Sequence, residues 1–249
     1  EPGHESWEGD DREHGGAPVW ITGSFDPELN LTYWGVGNPG PDWNAAQRPG
    51  DNLYSDSVVA LDADTGELKW HFQFTPNDGY DYDAVQVPLL VDMDWNGTPS
   101  KLMLWANRNG YFYVLDRVTG KYLLGKNYVK VNWSSGLDEN GRPIATPQPE
   151  GMPTWPGNQG ATNWYPPSYS PRTGLFYFSA WEDYATIYRA EEQEYEPGRA
   201  FLGGGFTVLT PAQGAPGVGI GRTNPINTWT DEVGHAALMA MDPETGEPK

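Results

Sequence analysis

Short apolar runs broken by turn residues recur along the whole chain. No segment makes a convincing amphipathic helix, a short stretch over Ala185–Glu194 excepted. Val58-Val59-Ala60-Leu61 enters the turn Asp62-Ala63-Asp64-Thr65-Gly66 and leaves through Leu68-Lys69-Trp70. Tyr113-Val114-Leu115 does the same into Asp116-Arg117-Val118-Thr119-Gly120, and Leu238-Met239-Ala240-Met241 into Asp242-Pro243-Glu244-Thr245-Gly246. Each predicts a strand, a tight turn and a returning strand, because Asp accepts main-chain hydrogen bonds within the turn and Gly takes the positive φ. A second hairpin type is also repeated, around Asp26-Pro27-Glu28-Leu29-Asn30 and around Ser170-Pro171-Arg172-Thr173-Gly174.

Interleaving the two hairpins yields four-stranded antiparallel units. The first has strands at about 17–25, 30–37, 57–62 and 67–73, and the second at about 85–92, 100–106, 111–116 and 121–125. The third has strands at about 163–169, 174–180 and 236–242 and is cut at the chain end. Repeated units of this kind predict an all-β fold, a β-propeller. Three units form an open arc with exposed edges, so the reading is an internal fragment of a longer chain. A Gly- and Pro-rich excursion over 181–235 interrupts the third unit, and long excursions of this kind are commonly functional.

Composition sharpens this in three ways. Twelve Trp and 14 Tyr with 31 Gly and 23 Pro favour strands and turns over helices. The absence of cysteine removes thiolate metal sites, thiol catalysis and disulfides. A net charge of −19 argues against nucleic acid and anionic membrane as partners, while permitting attraction to a basic protein. No apolar run is long enough to cross a bilayer.

The stretch Thr75-Pro76-Asn77-Asp78-Gly79-Tyr80-Asp81-Tyr82-Asp83-Ala84 is the chemical centre of the sequence. In extended backbone Asp81 and Asp83 would point to one side, about 6–7 Å apart. Two carboxylates so placed need a proton or a cation between them, and a hard multivalent ion with oxygen ligands answers that need; a solvated acidic loop is the other reading. Other motifs carry less. Gly35-Val36-Gly37-Asn38-Pro39-Gly40 has glycine spacing reminiscent of a dinucleotide site, but Pro39 and the residues after it open no helix. The four histidines lack zinc spacing. Read alone, Arg108-Asn109-Gly110 is a type I′ hairpin turn, Trp20 a core residue, Asn38 a turn residue before proline and Asn163 the start of a strand.

The chain resembles the pyrroloquinoline quinone (PQQ)-dependent alcohol and methanol dehydrogenases. The resemblance rests on Pro2-Gly3-His4-Glu5, Trp20-Ile21-Thr22-Gly23-Ser24-Phe25-Asp26-Pro27, Tyr33-Trp34-Gly35-Val36-Gly37-Asn38-Pro39, Gln47-Arg48-Pro49-Gly50-Asp51-Asn52 and Asn107-Arg108-Asn109-Gly110. The Ala60–Trp70 segment is similar to that family's tryptophan-docking repeat. The resemblance implies a single PQQ-binding propeller domain over 1–249. It would have blades at roughly 17–73, 85–125 and 160–249, three consecutive members of an eight-bladed ring. It implies Trp20 as the ring under the quinone, Asn163 and Arg108 as quinone contacts, and Asn38 and Asp81 as metal ligands, with Asp81 also the catalytic base. It departs at Pro18, where calcium methanol dehydrogenases place a Thr that contacts the cofactor.

Asp83 decides the metal. The resemblance places a small residue here in calcium-dependent members and a second Asp in lanthanide-dependent ones. With a family Glu from a region outside this chain, three carboxylates favour a lanthanide(III) over Ca2+. The implied activity is oxidation of a small primary alcohol to an aldehyde in the periplasm, with electrons passed to a cytochrome c; a homodimer of the full-length protein is compatible with it. Two alternatives stay open: a non-catalytic scaffold built on the same repeats, and a sugar-oxidising quinoprotein. The chain by itself is expected to be inactive, since most of the cofactor cavity wall lies outside it.

Overall fold

A computed structural model describes residues 3–9, 11–210, 215–217 and 235–249. Two four-stranded antiparallel sheets open it. The first is β1 (Ser24–Asp26), β2 (Leu31–Gly35), β3 (Ser57–Asp62) and β4 (Leu68–Gln73), paired in chain order. The second is β5 (Leu89–Trp95), β6 (Thr98–Ala106), β7 (Tyr111–Asp116) and β8 (Tyr122–Asn127), ordered likewise. A small ribbon follows, β9 (Ser134–Leu137) with β10 (Pro143–Ala145). The third sheet begins with β11 (Ser168–Ser170) and β12 (Leu175–Glu182). The chain then leaves it to form β13 (Ala185–Ala190), β14 (Gly204–Thr210) and β15 (Ala215–Gly217), a separate three-stranded sheet. It returns as β16 (His235–Met241), which pairs along the length of β12.

The strand pattern agrees with the repeat reading, with three corrections. The strand expected over about 163–169 is confined to β11, Ser168–Ser170. The first strand is only three residues long, because Ala17 has φ +57 and the 17–18 segment pairs with residues 37–38 instead. The expected helix over 185–194 is absent. Residues Ala185–Ala190 form β13, whose buried Ala185 and Thr186 pack inward as strand residues. Within the 181–235 excursion, residues 185–190, 204–210 and 215–217 form a sheet of their own, while 181–182 and 235 belong to β12 and β16.

The three turns match in detail. Asp62 Oδ1 accepts the N–H groups of Asp64 and Thr65 and the Thr65 hydroxyl, and Asp116 Oδ1 accepts the equivalents from Val118 and Thr119. Asp242 Oδ1 accepts from Glu244 in the third turn. The ladder slips by one residue just before two of them, at Ala60/Leu61 and at Val114/Leu115.

Successive sheets pack face to face. Tyr33, Val58 and Ala60 of the first meet Met103, Trp105, Tyr113 and Leu115 of the second in one apolar cluster. The opposite face of the second sheet, with Leu102, Leu104, Phe112 and Val114, meets Phe176, Phe178 and Ala180 of the third. Burial on both faces is why β6 and β7 read as continuous apolar runs without alternation. Each such large side chain contributes about 1.5–3 kcal/mol by leaving water. Between the first two sheets Arg117 adds a polar tie: Nε donates to Asp26 at 2.7 Å and Nη1 to the Val91 carbonyl at 2.9 Å.

Trp70 lies across the next sheet's turn, and a Cβ at Gly120 would stand 2.6 Å from its ring. Leu124 holds the same place relative to Gly246 of the third turn. Gly120 and Gly66 both need positive φ, but Gly66 has nothing within 4 Å of a built Cβ. Gly66→Ala should therefore cost only the left-handed backbone term of about 1–2 kcal/mol. Gly120→Ala should cost about 1–3 kcal/mol more, from displacement of the indole. Urea unfolding of the two variants side by side measures the difference, and equal losses would show that the Trp70 contact has no tight fit.

Candidate active site

Two loops at the end of the first sheet and one at the end of the second converge on a buried charged cluster. The 35–38 segment runs against 83–85: Ala84 N–H donates to the Val36 carbonyl at 3.1 Å and Asn38 N–H to Asp83 Oδ1 at 2.7 Å. Gly37 is required by this approach, since a Cβ there would come 2.5 Å from the Asp83 carboxylate. The glycine spacing that superficially suggested a dinucleotide loop thus serves a close backbone crossing. The carbonyl of Pro18 accepts the Gly37 N–H at 2.9 Å, which sets the Pro18 segment, two residues before Trp20, against this crossing.

Asp81 and Asp83 are not on an extended strand, which corrects the geometry expected from their spacing. Asp81 has φ +65, and no residue from 79 to 86 belongs to a strand. Their carboxylates nevertheless share one partner. Arg108 Nη1 donates to Asp83 Oδ2 at 2.5 Å, and Nη2 lies 3.3 Å from Asp81 Oδ2 and donates to the Asn158 carbonyl at 2.6 Å. Arg108 comes from the turn after β6. Asn107 Oδ1 accepts the Asn109 N–H there and Gly110 alone takes positive φ, so the turn is not of type I′, which would need positive φ at two central residues. The 158–163 loop docks on the same arginine through Ala161 N–H to the Arg108 carbonyl at 2.9 Å.

The structure thus joins Asn38, Asp81, Asp83 and Arg108 directly and brings the Trp20 and Asn163 segments alongside. Trp20 leaves 44% of its surface exposed, so it is not the core residue that it would be if read alone. Asn163 is buried and engaged locally: its Nδ2 donates to the Gln159 carbonyl at 3.0 Å and its Oδ1 accepts the Trp164 N–H. Each end of that amide keeps one further hydrogen-bonding position.

Three carboxylates beyond those read from the sequence complete the cluster. Asp78 is buried and accepts the N–H groups of Tyr80 and Tyr82; burial pushes its carboxyl up to about 6 against those bonds. Asp42 rises to about 6 through burial, opposed by a hydrogen bond from the Asn38 side chain. Asp56 is fully buried, and neither of its side-chain oxygens has a hydrogen-bond partner among the described residues. Burial and then the charges of Asp78 and Asp83 push it well above the usual carboxylate range. Burial also raises Asp81 well above that range, although Arg108 pulls it back. Two guanidinium groups, Arg108 and Arg48, answer five carboxylates here. Nothing periodic or motif-like in the sequence marks Asp42 or Asp56 as members, and Arg48, although it stands in the 47–52 segment that carries the family resemblance, has no role implied by it.

This excess of carboxyl groups over guanidinium groups, with the Asn38 amide and two carboxylates as neighbouring hard donors, suits a multivalent cation that would displace the protons burial favours. The Nε–H of Arg108 is buried without a partner among the described residues, as a contact meant for an added acceptor would be. Among those residues, no group of three or more His, Cys, Asp or Glu side chains is arranged as a complete metal site. Asn38, Asp81 and Asp83 do not by themselves make a complete metal site. A separate cavity of about 480 Å³, walled by Trp43, Tyr80, Trp133 and Tyr188, lies beside this cluster, and none of the six sequence-derived site residues lines it. The polar chemistry sits in the carboxylate–guanidinium cluster.

Comparison with known proteins follows the same lines. Residues 1–150 match the family model described as "PQQ: Glucose/ethanol/alcohol dehydrogenase, beta-propeller domain". The chain is 41% identical to quinoprotein alcohol dehydrogenase PedH of Pseudomonas putida over 98% of its own length and 39% of that protein. It is 43% identical to 1-butanol dehydrogenase (cytochrome c) of Thauera butanivorans over 68% of the chain and 26% of that protein. Among solved structures, a europium-containing methanol dehydrogenase superposes with TM-score 0.83 and 31% identity, over 98% of this chain and 41% of that one. The chain thus spans about two fifths or less of the lengths of these proteins.

The isolated Asp56 carboxyl gives a pH test. A raised folded-state value means its stabilising neutral form is complete below the unfolded value of about 3.9 and is lost as pH climbs through the folded one. Each pH unit crossed in that window removes about 1.4 kcal/mol. Asp56→Asn, which cannot ionise, should lose little in acid and gain on the parent as pH rises. Urea unfolding across that pH range reads this out, and parallel pH profiles would mean Asp56 is ionised and paired.

Proposed function

Because the chain belongs to the PQQ-dependent glucose/ethanol/alcohol dehydrogenase β-propeller family, we propose that the whole protein oxidises primary alcohols to aldehydes in the periplasm and passes the electrons to a cytochrome c. Its three main sheets would be consecutive blades of one eight-bladed PQQ-binding domain. The observation that carries the reading is the Arg108 fork held on both Asp81 and Asp83, with Asn38 hydrogen-bonded to Asp83.

In this reading PQQ, when bound, supplies an electrophilic carbon that accepts hydride from the alcohol, and a coordinated cation withdraws charge from the adjoining oxygen. The chain's own groups do the rest. Asp81 would take the hydroxyl proton as the carboxylate, the form that a bound cation favours; its side chain is 23% exposed, against 8% for Asp83, so it is the one a substrate can reach. Arg108 orients both carboxylates and offers its unpaired Nε–H to developing negative charge. Trp20 supplies a flat face for stacking, and Asn163 a further amide contact. Asn38, Asp81 and Asp83 hold the cation, with Asp83 fixed from both sides by Asn38 and Arg108.

A lanthanide(III) is favoured over Ca2+. The support is Asp83, a second carboxylate beside Asp81 on the same guanidinium, which with a Glu from outside this chain would set three carboxylates about the ion. That the superposed methanol dehydrogenase is a europium-containing one is consistent with this.

Two substitutions in the full-length protein test the reading. Asp81→Asn should lower alcohol-dependent dye reduction by on the order of 10²–10⁴; turnover near the parent's would remove Asp81 as the base. Asp83→Ala should shift the metal requirement from lanthanide towards calcium, read as activity after reconstitution with each ion. An unchanged preference would remove Asp83 as the selector.

A further inference from the structure

Arg48 is completely buried, yet its donors go to oxygens other than carboxylates. Nε donates to the Pro41 carbonyl at 3.1 Å and Nη1 to Asn52 Oδ1 at 2.8 Å. Nη2 donates both to the Asp42 carbonyl, at 3.3 Å, and to the Asp78 carbonyl. Burying a guanidinium is expensive unless its hydrogens are satisfied, and here that satisfaction spans two separate loops. Asp42 lies four residues after Asn38, and Asp78 three residues before Asp81. A single nitrogen thus clasps the loop bearing the amide ligand to the loop bearing the two carboxylates.

The clasp is itself braced. Asn52 and Asn77 both donate their Nδ2 groups to the Arg48 carbonyl at 2.9 Å, and Asn77 also donates to Asn52 Oδ1. On the ligand side, the Asn38 side-chain amide donates to the Asp42 carboxylate and to the Pro39 carbonyl. Those bonds occupy the NH2 end and leave the amide oxygen as the end an ion could use.

We propose that Arg48 is the positioning residue of the cation site, fixing the separation of Asn38 from Asp81 and Asp83. This rests on the reading of those three side chains as ion ligands. A mere counter-charge would behave oppositely: a positive group beside a cation site weakens binding, so its removal would tighten it. A clasp, when removed, weakens binding and lets solvent take a ligand's place.

The test is terbium(III) titration of the full-length protein, followed by luminescence sensitised by its aromatic residues. Luminescence decay in H2O and D2O then counts inner-sphere waters. Arg48→Met should lower terbium affinity by on the order of 10–100-fold and admit an additional inner-sphere water, with cooperative unfolding retained. Arg48→Lys keeps the buried charge but replaces the planar fork with a single ammonium, and should show the same loss. Should Arg48→Met fail to fold, Arg48→Lys carries the test alone. Parent-like or tighter terbium binding by a folded Arg48 variant, with an unchanged water count, overturns the proposal. Asp83→Ala separates the two levels: if the parent binds no terbium, or Asp83→Ala binds it equally well, the ligand reading falls and this inference with it. Loss in Asp83→Ala but not in the Arg48 variants sinks only the clasp.

Discussion

The site is built around one shared partner. Asp81 and Asp83 stand close together with the Arg108 guanidinium facing both, and burial holds the Asp81 carboxyl well above the usual carboxylate range even so. A planar fork can meet two carboxylates at once in fixed directions, which an ammonium could not. The positions of the three loops follow from this. Asn38 reaches Asp83 because Gly37 lets the backbones cross, and the 158–163 loop is anchored on the arginine that the fork immobilises. The guanidinium only partly offsets the cluster's negative charge, and the excess makes the place receptive to a cation.

Much of this was readable in the residues. The Asp-x-x-Thr-Gly turns announced the sheets because their hydrogen bonds are local: an Asp oxygen satisfies N–H groups two and three positions on, and the sequence carries both partners. The grouping of Asn38, Asp81, Asp83 and Arg108 was legible through family resemblance. What failed were inferences that carried local geometry too far. Asp81 and Asp83 alternate in sequence, but positive φ at Asp81 takes the segment out of the strand, and their convergence is imposed by Arg108 from another sheet. The Ala185–Glu194 stretch has acceptable helix formers, yet pairing with β14 decides its conformation. Arg48, Asp42 and Asp56 could not be assigned from sequence, since a buried charge leaves no periodic trace and its partners lie on other loops.

The packing of the sheets shows the same division between local rule and distant partner. Trp70 over Gly120 follows the repeat, whereas the equivalent place over Gly246 is filled by Leu124, a smaller side chain in the same position. The repeat specifies where a docking group stands; which group fills it is settled by the space the neighbouring sheet leaves.

The detour between β12 and β16 bears on assembly. In the second sheet each strand finds its neighbour after a short turn, and in the first sheet only the 36–56 connection between β2 and β3 is longer, so little chain entropy is lost in closing these ladders. β16 must find β12 with the whole β13–β15 sheet intervening. Contacts of such high sequence separation form late. The first two sheets would therefore present a finished wall, with Leu104 and Phe112 uncovered, against which the third is completed last.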